Sequence, residues 1–267
     1  LTGLFIEKGP VVQIRYGQNK VSVNRDTDGM VAYDGPLTVL VDRYSASASE
    51  IFAAAMQDYN RALIIGEQTF GKGTVQQHRG LGKIYDLYDN PLGSVQFTIA
   101  KFYRIDGGST QHKGVVPDIL YPSAVEPEEW GEAKAENALP WDSIKRANYT
   151  TFADGQAALD VLTAKHNKRI MQDPEFSYIY EDIEEYKENK DKNYISLVKS
   201  EREADKKEAE EKSLARANER LQRLGMETVA SLDDLPEDMD ELDPFLDEAA
   251  NITFDMIQTG RYAITRN

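Results

Sequence analysis

The sequence contains no cysteine in its 267 residues. This absence excludes thiol catalysis, zinc–thiolate sites and disulfide bonds, and it leaves the redox compartment open. Histidine is also scarce, and His78, His112 and His166 show neither metal-ligand spacing nor the signature of a histidine-based triad. We therefore expect no metal and no other cofactor, and we expect all three histidines to be surface or polar-strand side chains.

Long apolar runs are missing as well, so no segment is predicted to cross a membrane. The chain begins LTGLFIEKGP, without an initiator methionine or a signal peptide. These features lead us to expect a piece of a longer polypeptide.

Charge divides the chain. Residues 1–123 carry 12 acidic and 12 basic side chains, whereas the remainder carries 34 acidic and 19 basic ones, which accounts for the whole net charge of −15. We predict a compact domain over 1–123, an acidic linker or arm over 124–155 and a helical domain over 156–267. Trp130 and Trp141 are candidate anchors of the arm.

The acidic second part also bears on possible partners. Its most acidic segment, SLDDLPEDMDELD at 231–243, is predicted to be a solvated loop. Nucleic acid and anionic membrane surfaces would both be repelled by such a charge, so we expect neither as a partner.

The first part has the pattern of an α/β domain. Residues 48–59 predict a helix, and the continuous apolar runs LTVLVD and ALIIGE on either side predict a βαβ unit with both sheet faces covered. Turn signals at 89–94 and 106–109 bracket the longest predicted strand. The predicted strands cover 11–15, 21–23, 37–42, 62–67 and 94–105.

The second part is predicted to be helical over 156–189 and over roughly 194–224, with Gly225 as the C-cap. A last helix is predicted to start at Pro244 and to run toward Gly260. Apolar residues recur at spacings of three and four in the second of these helices, which predicts a packing seam. Its members are Leu214, Ala217, Leu221 and Leu224.

Ser47 and Lys72 are the candidate chemical groups. Ser47 lies in SASASE, between a predicted strand and a predicted helix, where a chain can present a nucleophilic hydroxyl. The backbone N–H of Ala48 would then help to bind an oxyanion. The alternative is structural, since Ser47 and Glu50 also fit a capping box. Lys72 lies in a Gly-Lys-Gly turn and would be the base, provided that desolvation leaves its amine uncharged.

Lys72 also allows a second interpretation. GEQTFGKG at 66–73 fits most of a phosphate-binding loop. Gly73 stands where a hydroxyl residue would hold magnesium, and the following TVQQHRG favours strand or loop over the required helix. Nucleotide binding is therefore a remote alternative.

The string VDRYSASASEIFAAAMQDYNRALIIGEQTFGKGTVQQ resembles the catalytic segment of the C-terminal processing proteases, and FYRIDGGSTQHKGVVPDI and ENALPWDSI extend the resemblance over nearly the whole chain. The resemblance implies a crotonase/ClpP-like α/β core followed by an α-helical domain. It implies that Ser47 is the nucleophile, that Lys72 is the base and that Gln76 orients the lysine. Asp58 matches a position treated as catalytic in relatives, but 11 helical residues separate it from Ser47 by about 16 Å. A structural or lysine-neighbour role is the better expectation for it.

The same resemblance implies a serine endopeptidase that recognises apolar C-terminal tails of proteins in the bacterial periplasm, near the inner membrane and with a lipoprotein adaptor. It also implies an upstream PDZ domain and a glycine-rich strand that donates a second oxyanion amide, neither of which is recognisable in this chain. The alternative is a scaffold or adaptor-binding piece whose catalytic residues are present but not assembled.

Overall fold

The computed structural model describes residues 1–82, 92–152, 156–192, 194–236 and 242–260. For residues 156–158 it describes the backbone only. Two compact units are present, one formed by Leu1–Glu181 with Phe245–Asn267 and the other by Asp182–Pro244. The architecture is mixed α/β. Among the described residues, no helix is both long enough and apolar enough to cross a membrane.

The strands form two sheets. They are β1 (Gly9–Tyr16), β2 (Val21–Asp26), β3 (Thr38–Val41), β4 (Leu63–Gly66), β5 (Thr74–Gly80), β6 (Ser94–Tyr103) and β7 (Ile119–Leu120). One sheet is antiparallel with the order β2-β1-β6-β5, and the other is parallel with the order β3-β4-β7. All five strands predicted from the sequence are therefore present, with small shifts at their ends.

The α-helices are α1 (Ala48–Asp58), α2 (Gln156–Ile170), α3 (Pro174–Asn189), α4 (Lys199–Arg223) and α5 (Pro244–Thr259). Helix α1 joins the parallel strands β3 and β4, which confirms the predicted βαβ unit. Its buried face is made of small and flexible side chains, Ala53, Ala54 and Met56. They pack with Val41 and Ile64 in one core cluster, so the parallel strands lie close beneath the helix.

The prediction of one continuous helix over 156–189 is wrong in one respect, because two helices occupy it and residues 171–173 separate them. Proline has no N–H to donate and cannot continue the helix that precedes it. Helix α4 starts at Lys199, later than predicted. Gly225 ends it with φ +72°, which confirms the predicted cap.

The predicted packing seam of α4 holds at only part of its length. Ala217 and Leu221 are buried, but Leu224 is 59% exposed. Of the predicted acidic loop at 231–243, residues 232–234 form a short 3-10 helix and residues 237–241 lie outside the described residues. The turn predicted at 89–94 also lies partly outside them.

The division by packing differs from the boundaries that charge predicts, because α2 and α5 belong to the same unit as the sheets. Their side chains Leu162, Ile252 and Met256 share a core cluster with Ile65 of β4 and with Tyr121, directly after β7. Because of these apolar contacts with the parallel sheet, helices α2 and α5 of the acidic part pack in the first unit.

The expectation of a surface or polar-strand position is wrong for His166, which is buried between helices α2 and α5. The residue is 1% exposed, its Nδ1 lies 2.9 Å from Oε1 of Glu248, and its ring stacks on Tyr121. Arg169 also binds Glu248, so a charged network joins α2 to α5. His78, in contrast, is exposed on β5 as expected.

Candidate active site

Ser47 occupies a strained turn between β3 and α1. We call residues 42–47 the nucleophile turn. Asp42 shapes it, because its Oδ1 accepts the backbone N–H groups of Tyr44 and Ser45 at 3.1 and 2.8 Å. Ser47 itself has φ +58° and ψ −110°, a conformation that costs a non-glycine residue on the order of 1–3 kcal/mol. Such strain is found where a side chain is presented for function, and here it presents a half-buried hydroxyl at the start of a helix.

Lys72 occupies a second turn, between β4 and β5. We call residues 69–73 the base turn. Its Gly71 has φ +88°, and a Cβ there would lie 2.9 Å from the backbone of His112, so a side chain does not fit. The Nζ of Lys72 donates to Oε1 of Gln76 at 3.4 Å, and the same oxygen accepts Nε2 of Gln96 at 2.6 Å. The expected pairing of Lys72 with Gln76 is therefore present as a long hydrogen bond.

The carboxylate of Glu50 holds the two turns together. Its Oε2 accepts the backbone N–H of Ser47 at 2.7 Å and the backbone N–H of Lys72 at 3.0 Å. Its Oε1 accepts the hydroxyl of Thr69 and the N–H of Gly71, both at 2.6 Å. The bond to Ser47 confirms the glutamate half of the predicted capping box.

Glu50 has no exposed surface and receives these four hydrogen bonds. Burial raises its pKa, and the hydrogen bonds from Thr69, Gly71, Ser47 and Lys72 oppose that rise. The sequence indicated only a local cap, because nothing in the pattern shows that residues 69–72 return to the same carboxylate.

A direct backbone bond also joins the turns, since the N–H of Phe70 donates to the carbonyl of Ser45 at 3.0 Å. The structure thus brings Ser47 and Lys72 onto neighbouring turns. Ala48 is the first residue of α1, and its N–H belongs to the first-turn amides that have no acceptor within the helix.

Asp58 is not part of this arrangement. It lies at the opposite end of α1 from Ser47 and binds Arg104, with 2.5 Å between its Oδ1 and Nη2 of the arginine. The Asp58 side chain is 5% exposed and that of Arg104 is 18% exposed. As the helix geometry predicts, the structure does not bring Asp58 to the serine, and its contacts are those of a buried ion pair.

The amides of the base turn are already occupied, which bears on the phosphate-binding alternative. Those of Gly71 and Lys72 donate to Glu50, and that of Gly73 donates to Oε1 of Gln111 at 2.8 Å. The turn continues into β5 and not into a helix. A carboxylate thus fills the place where a phosphate would sit, and its charge would repel one.

Comparison with known proteins divides the chain near residue 123. The sequence profile of peptidase family S41 matches residues 1–121, and the profile of the C-terminal domain of tail-specific protease matches residues 125–258. A tail-specific protease from Haemophilus influenzae is 47% identical over 262 residues, which cover 96% of this chain and 37% of that protein. A carboxy-terminal-processing protease from Bartonella bacilliformis is 40% identical over 121 residues, which cover 45% of this chain and 26% of that protein.

Among solved structures, the photosystem II D1 C-terminal processing protease matches over 48% of this chain and 30% of its own, with 34% identity and a TM-score of 0.37. The chain spans only 37% and 26% of the lengths of the two bacterial relatives.

Proposed function

Because the chain belongs to peptidase family S41 and to its tail-specific branch, we propose that it carries the Ser-Lys dyad of a serine endopeptidase. Ser47 is the nucleophile and Lys72 the general base. One observation supports this assignment above the others: a single carboxylate oxygen of Glu50 binds the backbone of both residues. We also infer a crotonase/ClpP-like core, which the parallel β3-α1-β4 unit supports.

The reaction follows from the roles of these groups. The Nζ of Lys72, acting as the base, takes the proton of Ser47 Oγ as that oxygen attacks the scissile carbonyl carbon. The N–H of Ala48 donates to the oxyanion, which carries more charge in the transition state than the carbonyl does in the substrate. The ammonium then returns the proton to the leaving amine, and water cleaves the acyl-enzyme. Gln76 holds the amine by accepting its hydrogen bond.

Substrate and setting are part of the proposal. The enzyme acts on proteins with apolar C-terminal tails in the periplasm, with a lipoprotein adaptor as a partner. The names of the relatives, tail-specific and carboxy-terminal-processing protease, support the class of substrate. A PDZ domain that binds the tail and a strand that donates a second oxyanion amide belong to the same proposal.

The test is covalent labelling with a serine-directed fluorophosphonate. It uses both this chain and the natural polypeptide that carries it, with mass spectrometry to locate the adduct. We expect the adduct on Ser47, no labelling of Ser47→Ala and at least a hundredfold slower labelling of Lys72→Ala. Ser49→Ala is the matched control, because it removes the exposed neighbouring hydroxyl of the same motif.

Labelling that persists in Ser47→Ala would refute the assignment. Cleavage of a protein with an apolar tail, by the natural polypeptide but not by its Ser47→Ala variant, would support the substrate class. Labelling and cleavage by the natural polypeptide only would show that this chain alone is an unassembled scaffold.

A further inference from the structure

The arm that follows residue 123 reaches the nucleophile turn through Trp130. The indole Nε1 donates to the backbone carbonyl of Arg43 at 2.8 Å. The indole ring also meets the ring of Tyr44 edge-on, with 5.1 Å between the ring centroids. One side chain of the arm therefore fixes two consecutive residues of the turn that ends at Ser47.

The next two residues of the arm reach the base turn. The N–H of Glu132 donates to the carbonyl of Phe70 at 3.0 Å. Gly131 has φ +72°, and a Cβ placed there would lie 2.1 Å from that carbonyl oxygen. Only glycine, which has no side chain, allows the backbone of the arm to lie this close to Phe70.

Gln111 extends this contact to the far side of Lys72. Its side chain is fully buried, and its Nε2 donates to Oε1 of Glu132 at 3.2 Å. Its Oε1 accepts the N–H of Gly73 at 2.8 Å. The carboxylate of Glu132 is therefore connected through one buried amide to the residue that follows the proposed base.

We propose that residues 130–132, the clamp, position the nucleophile turn and the base turn relative to each other. This inference rests on the proposed function. The clamp lies within 125–258, the region matched by the C-terminal domain of tail-specific protease, whereas the peptidase profile ends at residue 121. The C-terminal region thereby contributes positioning residues, and not catalytic ones, to the Ser-Lys dyad.

The hydrogen bond from Gln111 to Glu132 requires an acceptor at position 132, and substitutions can test this requirement. Glutamine in place of Glu132 keeps an oxygen that accepts from Gln111, whereas leucine removes every acceptor. Phenylalanine in place of Trp130 keeps an aromatic ring beside Tyr44 and removes the donor to Arg43. Alanine in place of Gly131 forces the arm away from Phe70.

The experiment measures fluorophosphonate labelling of Ser47 in the natural polypeptide, separated into the maximal rate and the half-saturating concentration. We expect Gly131→Ala, Trp130→Phe and Glu132→Leu to lower the maximal rate by about 10- to 100-fold with little change in half-saturation, because misplacement of about 1 Å has that effect on rate. Glu132→Gln is expected to retain most of the rate. Glu128→Gln, an exposed carboxylate of the same stretch, is the control.

Hydrogen–deuterium exchange of the same variants tests the clamp without any chemistry. We expect the amides of residues 69–73 to exchange at least tenfold faster in Gly131→Ala, while those of β4 keep the wild-type rate. Unchanged exchange in the base turn, or a full labelling rate in all three disruptive variants, would overturn the clamp. Absence of labelling in the wild type would instead count against the dyad, and exchange would still decide the clamp.

Discussion

Ser47 and Lys72 donate their backbone N–H groups to the same oxygen, Oε2 of Glu50, at 2.7 and 3.0 Å. The carboxylate comes from the first turn of the helix that Ser47 caps, so the position of the base turn depends on where that helix begins. Residues 25 positions apart in the chain are thus brought together by one buried carboxylate.

The first prediction concerns the charge of Glu50. Glutamine at this position offers one acceptor oxygen to a site where four donors converge, and its NH₂ group would face N–H groups. We expect Glu50→Gln to lose about 1–3 kcal/mol of unfolding free energy for each buried donor left unpaired. Fluorophosphonate labelling of Ser47 is expected to slow by about a hundredfold or more, because the two turns separate.

Urea unfolding and labelling of the folded fraction check this prediction. Ile252→Val is the control, since it removes one methyl from a fully buried side chain of α5 at a cost of about 0.5–1.5 kcal/mol. It is expected to label at the wild-type rate. A Glu50→Gln protein that also labels at the wild-type rate would show that the carboxylate does not position the dyad.

The second prediction concerns Asp58. Removal of its carboxylate leaves the charge of Arg104 largely buried and without its closest partner. We expect Asp58→Ala to lose about 3–5 kcal/mol of unfolding free energy, and we expect Asp58→Ala combined with Arg104→Met to recover much of the loss. Asp106→Ala is the matched control: Asp106 is 3.9 Å from the same guanidinium but 45% exposed, so about 0–1 kcal/mol is expected.

Calorimetry or urea titration of the four proteins decides whether Asp58 is structural. Equal losses for Asp58→Ala and Asp106→Ala would be inconsistent with a buried ion pair. The absence of any recovery in the double variant would point to a role of Asp58 beyond the pairing with Arg104.

Local patterns predicted much of the fold. The apolar runs of β3 and β4 flank a small-residue helix, and that order alone indicates a parallel βαβ unit. The break at Pro174 was also readable, since proline ends a preceding helix, but the continuous Glu- and Lys-rich composition on either side masked it. Strands, caps and one helix end were therefore accessible from sequence.

Long-range polar contacts were not accessible in this way. The buried His166 has its hydrogen-bond partner in Glu248, 82 positions later, and its ring stacks on that of Tyr121. The role of Glu50 depends in the same way on a turn 19 to 22 positions downstream. Such pairings leave no periodicity in the chain. The turns that contain Ser47 and Lys72 did mark them as candidates, whereas the role of Gln76 came only from the resemblance to a family.

The third prediction tests the lysine through Gln76. Glutamate in its place puts a negative charge beside the ammonium and favours the charged form of the amine, which cannot act as a base. We expect Gln76→Glu to label Ser47 about tenfold or more slowly than the wild type at neutral pH. The labelling rate at one fixed pH measures this loss.

Gln77→Glu is the matched control, because adjacent residues of a strand point to opposite faces and Gln77 is exposed on β5. Its labelling rate is expected to equal that of the wild type. Equal rates for all three proteins would contradict the assignment of Lys72 as the base.

The last prediction concerns the network between α2 and α5. Burial raises the pKa of Glu248, but hydrogen bonds from His166 and Arg169 outweigh it and hold that pKa below its usual 4.5. Burial likewise raises the pKa of Asp255, but hydrogen bonds from Lys165 and Arg169 outweigh it and hold that pKa below its usual 3.8. A carboxyl with a lowered pKa in the folded state stabilises the protein above its unfolded pKa, and that stability is lost as the pH falls through the folded value.

We therefore expect Glu248→Gln to be less stable than the wild type by about 1.5–3 kcal/mol near pH 6, where the wild-type carboxylate is charged. The difference is expected to shrink below about pH 4.5, because a protonated glutamate resembles glutamine. Urea unfolding from pH 6 to pH 2.5 measures it, with Asp160→Asn, an exposed carboxylate on α2, as the control that shows little difference at any pH. If the Glu248→Gln difference stayed constant over that range, the charge of Glu248 would not be what joins the two helices.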